Sequence, residues 1–523
     1  MIYSGKRDGY VNYELDFSLE RDGTYYYRFE ILHTDGGITY VGKGDGGYAV
    51  CGEWLPEWQL TVYEKDYKTP DSFKGGLVYH IFVDRFRNLD NNEKPRYGIL
   101  KNWSEDVTVR DMDGVYRAND FYGGNFKGII SELDYLADLG VTDLYLSPIF
   151  ESSSNHRYDT GDYLKIDPLL GTEEDFRQLI KKAAEKGMGI ILDGVFNHTG
   201  ADSLYFNKFN HYDSVGAYQS KDSPYYDWYT FFDYPNDYLC WWGVTVVPTI
   251  ARDAKGFHKL IAGEGGVIRK WTDMGVAGWR LDVVDELSGT FVKVLRIAIK
   301  KNNPENVVIG EVWEDASNKY SYGEEREYFR GNELDGVMNY VFKKAILGFL
   351  THEFDGSEFA ERVMTIIENY PKCSLDTCLT LIDSHDTVRA INALSGADGG
   401  PDKEGRKNYR LSPEEYERGK RRLILASCLQ YFLPGVPSVY YGDEVGMQGF
   451  EDPINRRPFP YKENWDEDIL AHYRYLGKFR KENRKAFTEQ AFVYGSGEEV
   501  VIERESLRLK LHRGFGSYTI EKK

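Results

Sequence analysis

The pattern of apolar and polar positions changes three times along the chain, and each change indicates a different kind of structure. In residues 1–72, apolar and polar positions alternate over short stretches such as YVNYELDFSL, TYYYRFEIL and GITYVG, with DG and GG turns between them. Alternation with a period of two is typical of antiparallel strands that bury one face. We therefore predict an N-terminal β domain, sandwich-like, over residues 1–72.

Further along, apolar runs are followed by amphipathic helical stretches, as in VTDLYLSPI, DFRQLIKKAAEKG and MGIILDGVFNH. Repetition of this unit predicts an α/β fold with a parallel sheet and helices outside it. There are eight strand candidates, the number that closes a (β/α)8 TIM barrel. They are LVYHIFV, VTDLYLS, GIILDGV, VAGWRLD, NVVIGEV, DGVMNYV, CLTLIDS and PSVYYGD.

Two further segments interrupt or follow the barrel pattern. We assign the barrel to residues 73–198 and 263–486, because the aromatic-rich stretch 199–262 is too long for a simple loop after the third strand. It is predicted to form an inserted subdomain. Strand-like alternation returns in FVYGSGEEVVIE and LRLKLHRGFGSYTI, which predicts a C-terminal β domain over residues 487–523.

Composition narrows the range of partners. The 523 residues include 65 Lys and Arg against 84 Asp and Glu, a net charge of −19, which disfavours nucleic acid as a partner. No apolar stretch is long enough to span a membrane, and the charged start MIYSGKRDGYVNYELDF lacks a signal-peptide core, so we expect a cytoplasmic protein. The five cysteines are scattered, so neither a disulfide framework nor a zinc site is indicated.

Polar side chains follow four of the predicted strands at the points where those strands end. In a β/α barrel these ends meet at one face, where catalytic groups collect. Taken singly, each such carboxylate or histidine is better explained as a helix cap or a packing residue, whereas four matching positions favour a site. The residues are Asp193, Asn197 and His198 after the third strand, Arg280 and Asp282 after the fourth, Glu311 after the fifth, and His385 and Asp386 after the seventh.

Two carboxyl groups facing each other across a pocket suit cleavage of a glycosidic bond. One protonates the departing oxygen while the other attacks or stabilises the positively charged sugar. Arg280 lies two residues before Asp282, on the same side of the strand, and is expected to hold that carboxylate ionised. Glu311 lies between VVIG and Trp313, an apolar setting that would raise the pKa of a proton donor.

These segments resemble the four signature regions of glycoside hydrolase family thirteen, the α-amylase family, over about residues 76–445. The resemblance implies a nucleophile at Asp282, an acid/base at Glu311 and a transition-state stabiliser at Asp386. It also implies sugar-binding or orienting roles at the matching positions, with the stretch NHRYDTGDY supplying a ring that stacks on the sugar. Those positions are Tyr158, Asp193, His198, Arg280 and His385.

Within the family, the chain is most similar to the cyclomaltodextrinase, neopullulanase and maltogenic amylase group. That group carries a glutamate at the position of Glu286, which is implied to line the acceptor side of the cleft and shape linkage choice. The group's MPKLN motif is matched only by VVPTI at residues 246–250, and Ser384 stands where asparagine is common. The N-terminal domain is shorter than the group's dimer-forming module, which leaves the oligomeric state open.

A structural calcium site is the one metal site that the resemblance suggests. The stretch DRFRNLDNN at residues 84–92 and the GG turn resemble a calcium-binding loop, with oxygen ligands from Asn88, Asp90, Gly123 and Asn125. Asn125 replaces an aspartate of the relatives, and an Asn-rich solvated turn explains the stretch equally well. Cleavage by two carboxyl groups requires no metal cofactor.

The expected activity is that of a retaining α-glucan hydrolase acting on α-1,4 and α-1,6 bonds in maltooligosaccharides, pullulan or cyclodextrins. Three alternatives on the same scaffold stay open: a transglycosylase, a sucrose or trehalose isomerase, and a catalytically idle glucan-binding protein. The intact set of Asp282, Glu311 and Asp386 argues against idleness, and Glu286 argues against the isomerase.

Overall fold

The computed structural model describes residues 1–7, 9–44, 49–91, 93–110 and 117–523. Its centre is a closed barrel of eight parallel strands, which confirms the (β/α)8 prediction and all eight strand candidates. The strands are buried on both faces, which is why each one reads as a short apolar run. They are β1 (Val78–Ile81), β2 (Asp143–Leu146), β3 (Gly189–Gly194), β4 (Gly278–Leu281), β5 (Val307–Val312), β6 (Gly336–Asn339), β7 (Leu379–Thr380) and β8 (Val436–Tyr440).

Helices surround the barrel, and several begin at side-chain caps. Before the helix Glu173–Glu185, the Thr172 hydroxyl accepts from the Asp175 amide and the Asp175 carboxylate accepts from the Thr172 amide, which satisfies two otherwise unpaired donors. In the described part of the chain, no helix is both long and apolar enough to cross a membrane. The α-helices are Val83–Phe86, Phe126–Ser131, Leu133–Asp138, Glu173–Glu185, Lys255–Ala262, Val267–Thr272, Gly289–Lys300, Tyr340–Leu350, Gly356–Asn369, Lys372–Leu375, Ala390–Ser395, Lys403–Asn408, Pro413–Phe432 and Glu467–Glu482.

The N-terminal region is made of antiparallel strands, as its alternating pattern predicts. Seven strands form a hairpin, a second pair and a three-stranded sheet. Ile2–Arg7 pairs with Tyr10–Glu14, and Gly23–Tyr27 pairs with Trp58–Val62. The three-stranded sheet contains Phe29–Leu32, Ile38–Lys43 and Ala49–Cys51.

The segments outside the barrel strands match the predicted types of structure, while the domain boundaries stay predictions. After β2, the antiparallel pair Phe150–Ser152 and Thr160–Ile166 carries a loop over the barrel. The insertion after β3 contains the short pair Phe231–Asp233 and Asp237–Tyr238. Two further short pairs are Ile99–Leu100 with Asp120–Phe121 and Tyr320–Ser321 with Glu324–Glu325. The C-terminal sheet orders Phe492–Ser496, Glu499–Glu503, Leu507–His512 and Ser517–Lys522 as an antiparallel meander.

Trp279 on β4 tests how strongly packing against the outside of the barrel contributes to stability. Its side chain is fully buried, with its ring centre 5.9 Å from that of Phe196 and 6.4 Å from that of Phe150. Because Trp279→Ala leaves a large cavity, we expect it to lower the free energy of unfolding by about 3–5 kcal/mol in urea titrations followed by circular dichroism. Trp54→Ala is the control, since that ring is 95% exposed. Equal unfolding midpoints for the two variants would contradict this account.

Candidate active site

The register of three neighbouring strands brings the predicted side chains together. Asp193 on β3 is the strand partner of Arg280 on β4, and Ile309 on β5 is the partner of Arg280 on the other side. Side chains two residues apart on a strand point to the same face, so Asp282 and Glu311 extend the same row toward the ends of their strands. The carboxyl groups therefore converge at the end of the barrel where catalytic groups are found.

A cavity of about 570 Å³ lies over this row. It reaches most of the side chains that the sequence predicts for a site, while Asp193 and Arg280 lie almost fully buried directly beneath it. The predicted residues that line the cavity are Tyr158, His198, Asp282, Glu286, Glu311, His385 and Asp386. The structure thus assembles all nine predicted catalytic and sugar-binding residues, and their individual roles stay predictions.

Arg280 is the common partner of three carboxylates. Its Nη1 atom donates to Oδ1 of Asp193 at 2.9 Å and to Oδ1 of Asp282 at 2.6 Å. Its Nη2 atom lies 2.9 Å from Oε2 of Glu311. The guanidinium has no exposed surface, so these contacts act without screening by water. One cation therefore fixes three acids from three adjacent strands.

The surplus of acids over bases affects the protonation of the site. Burial raises the pKa of Asp282 well above its usual range, and the neighbouring Glu311 and Asp193 carboxylates act in the same direction, against Arg280. Burial, followed by the Glu311 carboxylate, raises the pKa of Asp386 to about 7. The contact between Arg280 and Asp282 is present as predicted, but it does not outweigh the loss of water around Asp282.

The surroundings of Glu311 are polar, so the predicted apolar setting is wrong. Oε1 accepts from the indole of Trp313 at 3.0 Å, and Oε2 accepts from the backbone N–H of Val283 at 2.9 Å, beside Arg280. Val283 has left-handed backbone angles (φ 37°, ψ 48°), a strained conformation for a β-branched residue. This conformation is what turns the amide after Asp282 toward Glu311, and such strain is typical of functional sites.

A second hydrogen-bonded group forms the opposite wall of the cavity. The Tyr158 hydroxyl donates to Asp193 at 2.9 Å and lies 2.6 Å from Nε2 of His385, and the two rings are parallel with centres 5.1 Å apart. Nε2 of His385 also lies 3.2 Å from Asp386. Burial lowers the pKa of His385 well below its usual range, so the ring is neutral near pH 7. These contacts link the end of β7 to the Arg280 cluster, which consists of Arg280, Asp193, Asp282 and Glu311.

Two residues outside the predicted site hold the Asp386 loop in place. Nδ2 of Asn455 donates to the carbonyl of His385 at 2.8 Å, and Arg456 donates to the same carbonyl at 2.9 Å. Arg456 also contacts Asp386 at 3.4 Å. Both residues follow β8, in the stretch DPINRRP, whereas the polar strand ends that predict the site belong to the third, fourth, fifth and seventh strands. The charged INRR run was the available signal.

On the remaining wall, Glu286 is surrounded by side-chain donors. Its Oε1 atom accepts from the indoles of Trp241 and Trp242, each at 3.0 Å, and its Oε2 atom accepts from Asn197 at 3.0 Å. The His198 ring stacks on Trp241 with centres 5.3 Å apart, and burial lowers the pKa of His198 to about 4. Glu286 lies in the cavity wall as predicted, but protein groups already occupy its oxygens.

Three of the four residues of the predicted calcium site have an oxygen that accepts a hydrogen bond within the protein. The Gly123 carbonyl accepts from the side chain of Asn91, and Oδ1 of Asn125 accepts from the Gly128 amide at 2.7 Å as a helix cap. Asn88 accepts from the Asn91 amide, and Asp90 is exposed. Residue 92 of the quoted loop lies outside the described residues. Among the described residues no three acidic, histidine or cysteine side chains are grouped to hold a metal. The calcium site stays a prediction.

Comparison with known proteins decides the family. Residues 80–253 and 259–491 match the family model of the α-amylase catalytic domain. The chain belongs to the α-amylase family. The resemblance predicted from the four signature regions is therefore confirmed.

Three relatives illustrate the similarity. The chain is 34% identical to an amylopullulanase of Thermoanaerobacterium saccharolyticum, over 94% of this chain and 41% of that protein. It is 32% identical to a cyclomaltodextrinase of Geobacillus thermopakistaniensis, over 87% of this chain and 69% of the relative. The solved structure of the cyclic α-maltosyl-(1→6)-maltose hydrolase from Arthrobacter globiformis matches with a TM-score of 0.72 at 26% identity, over 87% of this chain and 98% of that one. The chain thus spans less than half the length of the amylopullulanase it matches.

The charge surplus around Arg280 leads to a prediction about stability. Because the folded-state pKa of Asp282 is raised above its unfolded value, the ionised side chain destabilises the fold above the folded pKa, and this penalty disappears as the pH falls toward the unfolded pKa. We therefore expect Asp282→Asn to have a higher Tm than the unmodified protein at pH 8, and a smaller gain at pH 5, in calorimetry. The control Glu314→Gln removes a mostly exposed carboxylate at the cavity rim and should show no such pH-dependent gain. A lower Tm for Asp282→Asn at both pH values would contradict the interpretation.

Proposed function

We propose that the chain is a retaining α-glucan hydrolase in which Asp282 is the nucleophile and Glu311 the acid/base. The observation that carries the proposal is that the guanidinium of Arg280 contacts both carboxyl groups, so that they lie side by side at a cavity large enough for sugar rings. Retaining glycosidases place the two carboxyl groups only about 5 Å apart, and contacts to the two nitrogens of one guanidinium favour such a short separation.

In the first step, a carboxylate oxygen of Asp282 attacks the anomeric carbon from below. The bond from that carbon to the bridging oxygen breaks, and Glu311 gives its proton to the departing oxygen. The N–H groups of Val283 and Trp313 fix both oxygens of Glu311, so its carboxyl plane is oriented before substrate binds. Arg280 contacts both groups. Its positive charge therefore stays next to the negative charge, which moves from Asp282 to Glu311 as Asp282 forms the bond and Glu311 loses its proton.

In the second step, water hydrolyses the ester between the sugar and Asp282. The Glu311 carboxylate removes a proton from the water while its oxygen attacks the anomeric carbon, and Asp282 departs as a carboxylate. Two inversions at that carbon retain the α configuration. Asp386, with its pKa near 7, is suited to hydrogen-bond the sugar hydroxyls as donor or acceptor, and His385 and Tyr158 complete that wall.

The proposed substrate class rests on the names of the relatives and on the aromatic side chains that line the cavity. The names amylopullulanase and cyclomaltodextrinase indicate α-glucans of more than one architecture. Several aromatic rings line the cavity, including Trp242, Trp313 and Tyr322, and such rings pack well on the apolar faces of sugars. We propose maltooligosaccharides, pullulan and cyclodextrins as substrates, with cleavage of α-1,4 and α-1,6 bonds. The cytoplasmic location stays a prediction.

The first test concerns the two carboxyl groups. Asp282→Asn is expected to fold and to lower kcat by at least about 10³-fold on maltohexaose, because the amide cannot form the covalent intermediate. The first product of the unmodified protein should carry the α configuration, measured by proton NMR before mutarotation. Near-normal turnover in the variant, or a β-configured first product, would refute the assignment.

The second test concerns substrates and separates the alternatives. We expect release of reducing sugars from maltohexaose, pullulan and cyclodextrins, with starch cleaved more slowly because the inserted subdomain flanks the entrance. Pullulan should give panose from α-1,4 cleavage and maltotriose from α-1,6 cleavage, resolved by chromatography. Faster conversion of sucrose or trehalose than of any glucan would favour the isomerase, longer oligosaccharides as main products the transglycosylase, and binding without cleavage the idle glucan-binding protein.

A further inference from the structure

One large aromatic side chain at the cavity packs only at its edge, with its ring centre 5.9 Å from that of Trp241. Trp242 is 80% exposed although it lies in the cavity wall. Its backbone is left-handed (φ 50°, ψ 30°), and Gly243, also at positive φ, follows it. Exposing an indole and placing a non-glycine residue in this region both cost free energy. The conformation therefore needs a compensating role.

The base of the turn that carries Trp242 is firmly held. The Trp241 amide donates to the Val247 carbonyl at 3.0 Å, and the Val244 amide donates to the Trp241 carbonyl at 2.9 Å. The following strand-like segment pairs Thr249 with His198 at the end of β3. The backbone of the turn is thus fixed to the barrel, whereas the Trp242 ring projects beyond it.

The Trp242 ring is hydrogen-bonded to Glu286. The indole Nε1 donates to Oε1 of Glu286 at 3.0 Å, and the indole of Trp241 donates to the same oxygen. The other carboxylate oxygen accepts from Asn197. A carboxylate that already accepts three protein donors has little capacity left for sugar hydroxyls. Its geometry suits an anchor for rings better than a direct reader of substrate.

We propose that Trp242 is the platform for the acceptor-side sugar of the substrate and that Glu286 is a positioning residue, which acts by fixing that platform. The proposal rests on the proposed function, because it deepens the account of the same cleft. A pyranose ring offers an apolar face of C–H groups that packs on an indole, and the exposed face of Trp242 is available for it. Glu286 then influences acceptor binding through the angle of the ring.

The experiment compares a substrate that has acceptor-side sugars with one that has none. α-Maltosyl fluoride has fluoride in place of the acceptor glucan, whereas maltohexaose fills that side. Trp242→Ala should lower kcat/KM for maltohexaose by about tenfold, mainly through KM, and leave α-maltosyl fluoride within about twofold. Phe232→Ala is the matched control, because this ring is an exposed aromatic of the same insertion that does not line the cavity. This variant should leave kcat/KM unchanged for both substrates.

A double-mutant cycle tests the role of Glu286. Glu286→Gln alone should lower kcat/KM for maltohexaose by several-fold, but by less than about twofold when Trp242 is already alanine. Trp242→Phe, which keeps a ring and loses the N–H, should resemble Glu286→Gln. Losses that multiply fully in the double variant would show that Glu286 contacts the sugar itself, and equal losses on both substrates for Trp242→Ala would show a general structural effect. Either result overturns the proposal.

A binding measurement separates this inference from the proposed function. Calorimetry with maltohexaose and the Asp282→Asn variant should give a Kd about tenfold weaker when Trp242→Ala is added. If the unmodified protein cleaves neither substrate but Trp242→Ala still weakens binding, the hydrolase proposal fails and the platform stands. If binding is the same with and without the Trp242 ring, the platform proposal fails whatever the activity.

Discussion

One buried guanidinium, that of Arg280, is the interaction on which the site depends. It lies on the middle one of three adjacent strands and contacts a carboxylate from each of them. Without this cation, three carboxylates would repel each other across a few ångströms in a region of low dielectric. That repulsion would cost several kcal/mol of folding free energy. The barrel makes the arrangement possible, because parallel register sets Asp193 opposite Arg280 and aims the whole row at one end.

The Arg280 cluster also explains why the site is poised between protonation states. A surplus of acids over bases means that protons are shared among neighbouring groups, so their titrations belong to the cluster as a whole. Burial raises the pKa of Asp282 and of Asp386, while Arg280 and Arg456 oppose that rise. A substrate that enters expels further water and brings its own hydroxyls. Charge placement before binding therefore costs stability and serves the reaction.

The fold was predictable from the sequence because buried parallel strands produce continuous apolar runs, and all eight became barrel strands. Polar residues at the ends of barrel strands were predicted to meet at one face, and Asp282, Glu311 and Asp386 do line one cavity. What the sequence did not reveal depends on side chains that meet across long loops. The Val283 donor to Glu311, the three donors on Glu286, and the contacts of Arg456 with the Asp386 loop are tertiary contacts with no local pattern.

The strained backbone at Val283 connects these features. Directly after Asp282, the chain turns through a left-handed conformation that costs on the order of 1–3 kcal/mol for a β-branched residue. The turn directs the Val283 amide to Glu311 and places Glu286 three residues later, where it holds the Trp241–Trp242 turn. A single short segment thus contacts Arg280, Glu311 and the Trp241–Trp242 turn. Under the proposed function, the segment from Asp282 to Glu286 therefore joins the nucleophile to the residue that positions the acceptor-side ring.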